Sequence, residues 1–268
     1  MLGKLLKYEF KSAAKIMVLF YIALIALSAI FSVTFAIGGN ANEEAHTDFL
    51  IEYNFVDSVL ETNALLSFLL FYFMIIVVSV STVIYSINRF KNTVLGPEGY
   101  LTHTLPVKTR DIILSKAINA VLWQIFSFIA VCVALLIILA TLKIDLFELF
   151  KGIIEVISYN AEVTVTILEL ILLSLVTSIS TYFQIFASMS IGYSANKHRR
   201  FKSIGVFILI YWIESFIFSL LLYSDIIGVI ESLGGPISLL LAILMFVLIS
   251  MVFYLITHHF LKKKLNLL

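Results

Sequence analysis

Apolar residues along this chain gather into six long runs, at about 16–37, 64–87, 117–142, 167–194, 203–223 and 237–258. A helix rises about 1.5 Å per residue, so roughly 20 such residues cross the ~30 Å hydrocarbon core of a bilayer. Every run meets that length. The pattern predicts an all-α integral membrane protein with six transmembrane helices in a single domain over residues 1–268. Ahead of the first run, residues 2–15 put Leu2, Leu5, Leu6, Phe10 and Ala13 on one helical face, with Lys4, Lys7, Lys11 and Lys15 largely opposite. This predicts an N-terminal amphipathic helix in the membrane interface, its basic groups toward lipid phosphates; a polar start to the first span is the alternative. The first run is too long for a signal-peptide core and is read as an uncleaved span.

The polar stretches differ from one another. Residues 39–63 carry Glu43, Glu44, Asp48, Glu52, Asp57 and Glu61 without a single Lys or Arg, and are expected to form an acidic loop. Residues 143–165 repeat Phe147, Phe150, Ile154 and Ile157 at helical spacing, which fits a second interfacial helix or a plain loop. Residues 88–116 hold two of the three prolines. Pro97 suits the first turn of a short helix, and Glu98 beside it suits the positive helix end. Pro106 biases Leu105 away from helical geometry and should stop that helix. Val107 to Lys116 then forms a second amphipathic stretch.

Composition agrees with the pattern: 61% of residues are hydrophobic, 13% are charged, and the mean hydropathy is +1.07. A soluble chain carries about a quarter charged residues. The distribution of charge says more than its total. Sixteen of the 18 Lys and Arg fall in the N-terminal stretch, in 88–116, in 196–202 or at the C-terminus; only Lys143 and Lys151 fall elsewhere. The positive-inside rule then places both termini and residues 88–116 in the cytoplasm, and 39–63, 143–165 and 224–236 outside. A plasma-membrane location follows as an expectation.

Candidate chemistry is sparse. There is no G-x-x-x-x-G-K-[ST], no H-E-x-x-H and no G-x-S-x-G, so no catalytic residue is assigned and the chain is not expected to be an enzyme. Ser232 to Pro236 (S-L-G-G-P) is only superficially like an ABC signature. The one cysteine, Cys132, lies within an apolar run and offers no disulfide. Adjacent His258 and His259 point about 100° apart on a helix, which makes a poor chelate; no metal or cofactor is expected. Glu169 lies near the outer end of its span, within reach of interfacial water. Glu214 falls near the middle of the fifth run, where a charge costs roughly 2.5–3.5 kcal/mol on insertion scales. It needs protein or a cavity around it. Its structural role would be a hydrogen bond to Ser, Gln or Asn on a neighbouring helix, such as Gln124 or Gln184; its functional role would be a contact in a substrate path, with Tyr211 and Trp212 supplying aromatic surface. In the fourth run, Ser174, Ser178, Thr181, Ser188 and Gly192 share a face that suits close helix packing. No proline interrupts any run, which argues against the broken helices of ion-coupled carriers.

At residues 98–116 the chain resembles the six-span permease subunits of type-2 ABC exporters. That family shows an acidic residue, a Gly, a leucine-bearing short helix and L-P-V before a polar turn, aliphatics and a Lys. The matching residues here are Glu98, Gly99, Leu101, Leu105, Pro106, Val107, Ile113, Leu114 and Lys116. The resemblance implies that Glu98 to Leu105 is a cytoplasmic coupling helix seated on a separate ABC ATP-binding subunit. It also implies a second permease copy or paralogue and a substrate path lined partly by the second and fifth spans. The partners so implied are these subunits and the bilayer, with no nucleic acid. The chain departs from the family in its acidic stretch 39–63 and in lacking a large extracellular domain, so substrate class does not carry over. The other readings are a membrane-embedded sensor or immunity protein without transport, and an ion-coupled carrier using Glu214.

Overall fold

The computed structural model of the protein describes residues 2–44, 50–96, 98–99, 104, 107–141, 145–195, 197–223 and 235–263. Helix α1 is Leu2–Glu44, and α2 is Leu50–Phe90, continued by a π-helical turn over Lys91–Leu95. Next come α3 (Thr109–Thr141), α4 (Leu146–Tyr159), α5 (Ala161–Tyr193), α6 (Arg199–Tyr223) and α7 (Gly235–Lys263). Among the described residues, six helices are long and apolar enough to cross a membrane, over Gly3–Ala36, Leu65–Leu95, Thr109–Thr141, Ala161–Tyr193, Arg199–Leu220 and Ile237–Lys262. Each contains or closely overlaps one of the six apolar runs. The chain is a multi-pass, all-helical membrane protein.

Two polar stretches are more helical than their composition implies. The amphipathic residues 2–15 are not a separate helix but the first turns of α1, because no proline breaks the chain between them and the apolar run. The acidic stretch 39–63 was expected to be a loop, yet α1 runs to Glu44 and α2 begins at Leu50. It too lacks proline, and its glutamates are good helix formers. In 143–165 the helix alternative holds: the Asp145 carboxylate accepts hydrogen bonds from the Phe147 and Glu148 amides at 2.9 and 3.3 Å, capping α4. Phe147, Phe150 and Ile154 are exposed along it.

Two compact units divide the chain. One comprises 10–84 and 122–155. Its core is Leu24, Phe71, Val78, Ala130 and Ala134, flanked by Phe20, Tyr21, Met74, Ile75, Val131 and Ile138. Hydroxyls bridge its helices, as expected where lipid offers no hydrogen bonds. Ser127 Oγ lies 2.9 Å from both Tyr21 Oη and Thr82 Oγ1. Phe10 stacks on Trp123 with ring centroids 4.8 Å apart.

The other unit comprises 1–9, 85–121 and 156–268. Helix α5 is its centre, packed on α6, α7 and the π turn. Every residue from Tyr182 to Ser190 is buried, so this half of α5 is enclosed on all sides. Large apolar side chains such as Ile208, Leu209, Ile213 and Phe216 of α6 stay exposed, as lipid-facing residues must. At the α5–α6 turn, His198 adopts a left-handed φ of 55°.

Candidate functional site at the ends of residues 88–116

Among the described residues, a buried, ion-paired polar cluster centres on Glu9. This residue is only 7% exposed although it sits in the amphipathic opening of α1. Arg89, in the last turn of α2, grips its carboxylate with two groups: Nε donates to Oε2 at 2.8 Å and Nη2 to Oε1 at 3.3 Å. Lys116, in the second turn of α3, donates from Nζ to Oε1. The lysine is as buried as its partner. A buried ammonium survives only with a close, hydrogen-bonded anion, and a forked guanidinium–carboxylate pair fixes direction as well as charge. Arg89 and Lys116 stand at the two ends of residues 88–116. One carboxylate of α1 therefore ties both ends of that segment.

The sequence carries one signal for the Glu9 cluster. Four residues from Leu5 and four from Ala13, it falls on the apolar stripe, not among the lysines. A carboxylate in that position must find a cation.

Packing braces the segment's start. Phe90 and Phe186 are fully buried and stack with centroids 4.1 Å apart and planes at 8°. The π turn follows, with Thr93, Val94 and Leu95 buried, and Thr93 Oγ1 donates to the Arg89 carbonyl at 2.6 Å. Gly96 then folds the chain back closely: a Cβ there would lie 3.0 Å from the Lys91 carbonyl oxygen and 3.1 Å from that of Asn92. The Gly99 amide donates to the Gly96 carbonyl at 2.8 Å. This turn leaves the Glu98 side chain exposed and buries Gly99. Of the other residues singled out in the sequence, Pro97, Leu101, Leu105 and Pro106 lie outside the described residues.

The carboxylate near the middle of α6 has a specific partner. Gln184 Nε2 donates to Glu214 Oε2 at 2.7 Å, a polar contact of the expected kind on a neighbouring helix. Tyr211 and Trp212 are exposed, at 60% and 72%. Glu214→Leu should therefore lower stability by ~1–3 kcal/mol, because it strands the buried Gln184 amide, whereas Glu214→Gln should lower it by less than ~1 kcal/mol. Thermal unfolding of the two variants in one detergent checks this. Glu169, expected at interfacial water, is instead buried, and its Oε2 has no hydrogen-bond partner among the described residues. Of the small-residue face on α5, Ser188 and Gly192 are buried while Ser174 and Thr181 are exposed, so packing uses its C-terminal half. His258 stacks on Tyr254. Among the described residues, no three or more of His, Cys, Asp and Glu converge as a metal site. Comparison with known proteins returns no match among family models, curated proteins or solved structures.

Proposed function

We propose that this chain is the membrane-spanning permease subunit of a type-2 ABC transporter, which moves substrate outward across the plasma membrane on ATP hydrolysed by a separate subunit. The observation that carries the proposal is the anchoring of residues 88–116. A segment that relays motion from a partner needs stiff ends, and here Arg89 and Lys116 share one buried carboxylate while Phe90 is locked on Phe186. The residue match from Glu98 to Lys116 and the six apolar helices support the same reading. The bias of Lys and Arg puts the segment and both termini in the cytoplasm, where an ATP-binding subunit would meet them. Glu98 to Leu105 is the coupling helix in this proposal, and Leu101 and Leu105 are its apolar anchors. In this proposal Lys4, Lys7, Lys11 and Lys15 on the first turns of α1 meet the cytoplasmic lipid headgroups. A second permease copy or paralogue completes the path, and the exposed Tyr211 and Trp212 give α6 an aromatic face toward it. The engagement of Glu214 with Gln184 favours helix tying over ion coupling.

Replacing Leu101 and Leu105 by Asp tests the proposal. The double variant should insert normally, lose at least tenfold in transport, and release the ATP-binding subunit or uncouple its hydrolysis. A variant that keeps both transport and complex would refute the coupling role. A sensor without transport would show no ATP-dependent flux in either form.

A further inference from the structure

An open groove of about 510 Å³ is lined by α3, α5 and α7. Arg110 and Asp111, in the first turn of α3, stand at it with Leu114 one turn further in. Phe183 of α5 is its most buried wall, the ring set edge-on to Tyr254 of α7 at 5.7 Å. Met251, one turn before Tyr254 on α7, is exposed beside them. The groove is therefore apolar with one charged end, where α3 begins. The 33 residues of α3 rise ~50 Å against a hydrocarbon core of ~30 Å, so that first turn falls at headgroup level. Arg110 Nε lies 3.5 Å from Asp111 Oδ1. Among the described residues, neither side chain has another polar partner. A guanidinium holds five donors and a carboxylate about four acceptor sites, so most of both stays unused.

We propose that this groove binds one phospholipid whose head carries both a phosphate and a primary ammonium, as in phosphatidylethanolamine. Arg110 takes the phosphate oxygens, and Asp111 accepts hydrogen bonds from the ammonium. An acyl chain lies along Leu114, Phe183 and Met251. A purely anionic head would satisfy Arg110 but bring negative charge against Asp111. A trimethylated ammonium would keep its charge but has no N–H to donate. The paired charges thus select a zwitterion with N–H groups over both alternatives. The site is independent of the proposed coupling role, because the lipid binds this chain alone.

Native mass spectrometry of the full-length protein, purified in detergent and titrated with one lipid at a time, tests this. The lipids are phosphatidylethanolamine, phosphatidylglycerol and phosphatidylcholine with identical acyl chains. The parent should retain a single phosphatidylethanolamine roughly tenfold more tightly than either of the others, the size expected for one charge-assisted hydrogen bond. Asp111→Ala should erase that preference, and Arg110→Ala should weaken all three lipids. Met251→Trp narrows the groove without changing its charge and should also expel the lipid. Lys151→Gln removes a cation that does not line the groove and should change nothing. Equal retention of the three lipids by the parent overturns the proposal, as does tighter binding of phosphatidylglycerol. So does a preference that survives Asp111→Ala, or undiminished binding in Arg110→Ala or Met251→Trp. All three groove positions are at least partly exposed, so these variants should fold. Should one fail to, the other two decide.

Discussion

Gly192→Val should leave almost no folded protein. A Cβ on Gly192 would lie 2.2 Å from the Ser203 hydroxyl, 2.4 Å from its amide nitrogen and 2.5 Å from its Cα. The first could rotate away, but the other two are backbone atoms at the start of α6. Helices α5 and α6 would have to separate, and α5 is enclosed along the nine residues just before this point. Overpacking of a rigid contact costs ~3 kcal/mol or more, a large share of a typical stability. Gly205, also on α6, meets nothing within 4 Å of its added Cβ. Gly205→Ala should therefore stay within ~1 kcal/mol of the parent. Size-exclusion profiles and thermal unfolding of the two variants should diverge sharply; equal behaviour would mean that α5 and α6 do not approach at Gly192.

Glu9→Ala should be nearly as damaging, and a second change should rescue it. Removing the carboxylate leaves Lys116 buried beside Arg89, two like charges without an anion. Breaking a buried pair from one side costs ~3–5 kcal/mol, chiefly because the survivor stays desolvated. Lys116→Met in the Glu9→Ala background removes that stranded charge while keeping an unbranched apolar stem, so most of the loss should return. Unfolding midpoints across the four-protein cycle measure the coupling directly. Additive losses would show that Glu9 and Lys116 do not form a pair.

The spans were legible because bilayer thickness imposes a length and an apolarity that few other sequences satisfy. What 2–15 and 39–63 would do was harder to read. Polarity along a chain marks where water or headgroups lie, yet it does not end a helix unless proline, glycine geometry or a cap does so. Residues 2–15 and the described parts of 39–63 offer no proline and remain helical. Glu214 was legible in kind, since a carboxylate deep in an apolar run must be satisfied, and Gln184 belongs to the class of polar partners the sequence suggests. The Glu9 cluster was not, because its members are separated by 80 and 107 positions. Only the phase of Glu9 on the apolar stripe hinted at it. Nor could the sequence choose which small residues on α5 face a neighbour. Ser174 and Gly192 share a stripe, but Ser174 is exposed while Gly192 is buried against Ser203.

The central claim is that residues 88–116 couple this chain to an ATP-hydrolysing partner. Affinity purification of the tagged chain from its native membrane in a mild detergent measures this most directly. The account predicts a stoichiometric companion bearing G-x-x-x-x-G-K-[ST], ATPase activity in the eluate, and loss of both when Leu101 and Leu105 become Asp. A chain that purifies alone from membranes retaining its transport, without ATPase activity, would contradict it.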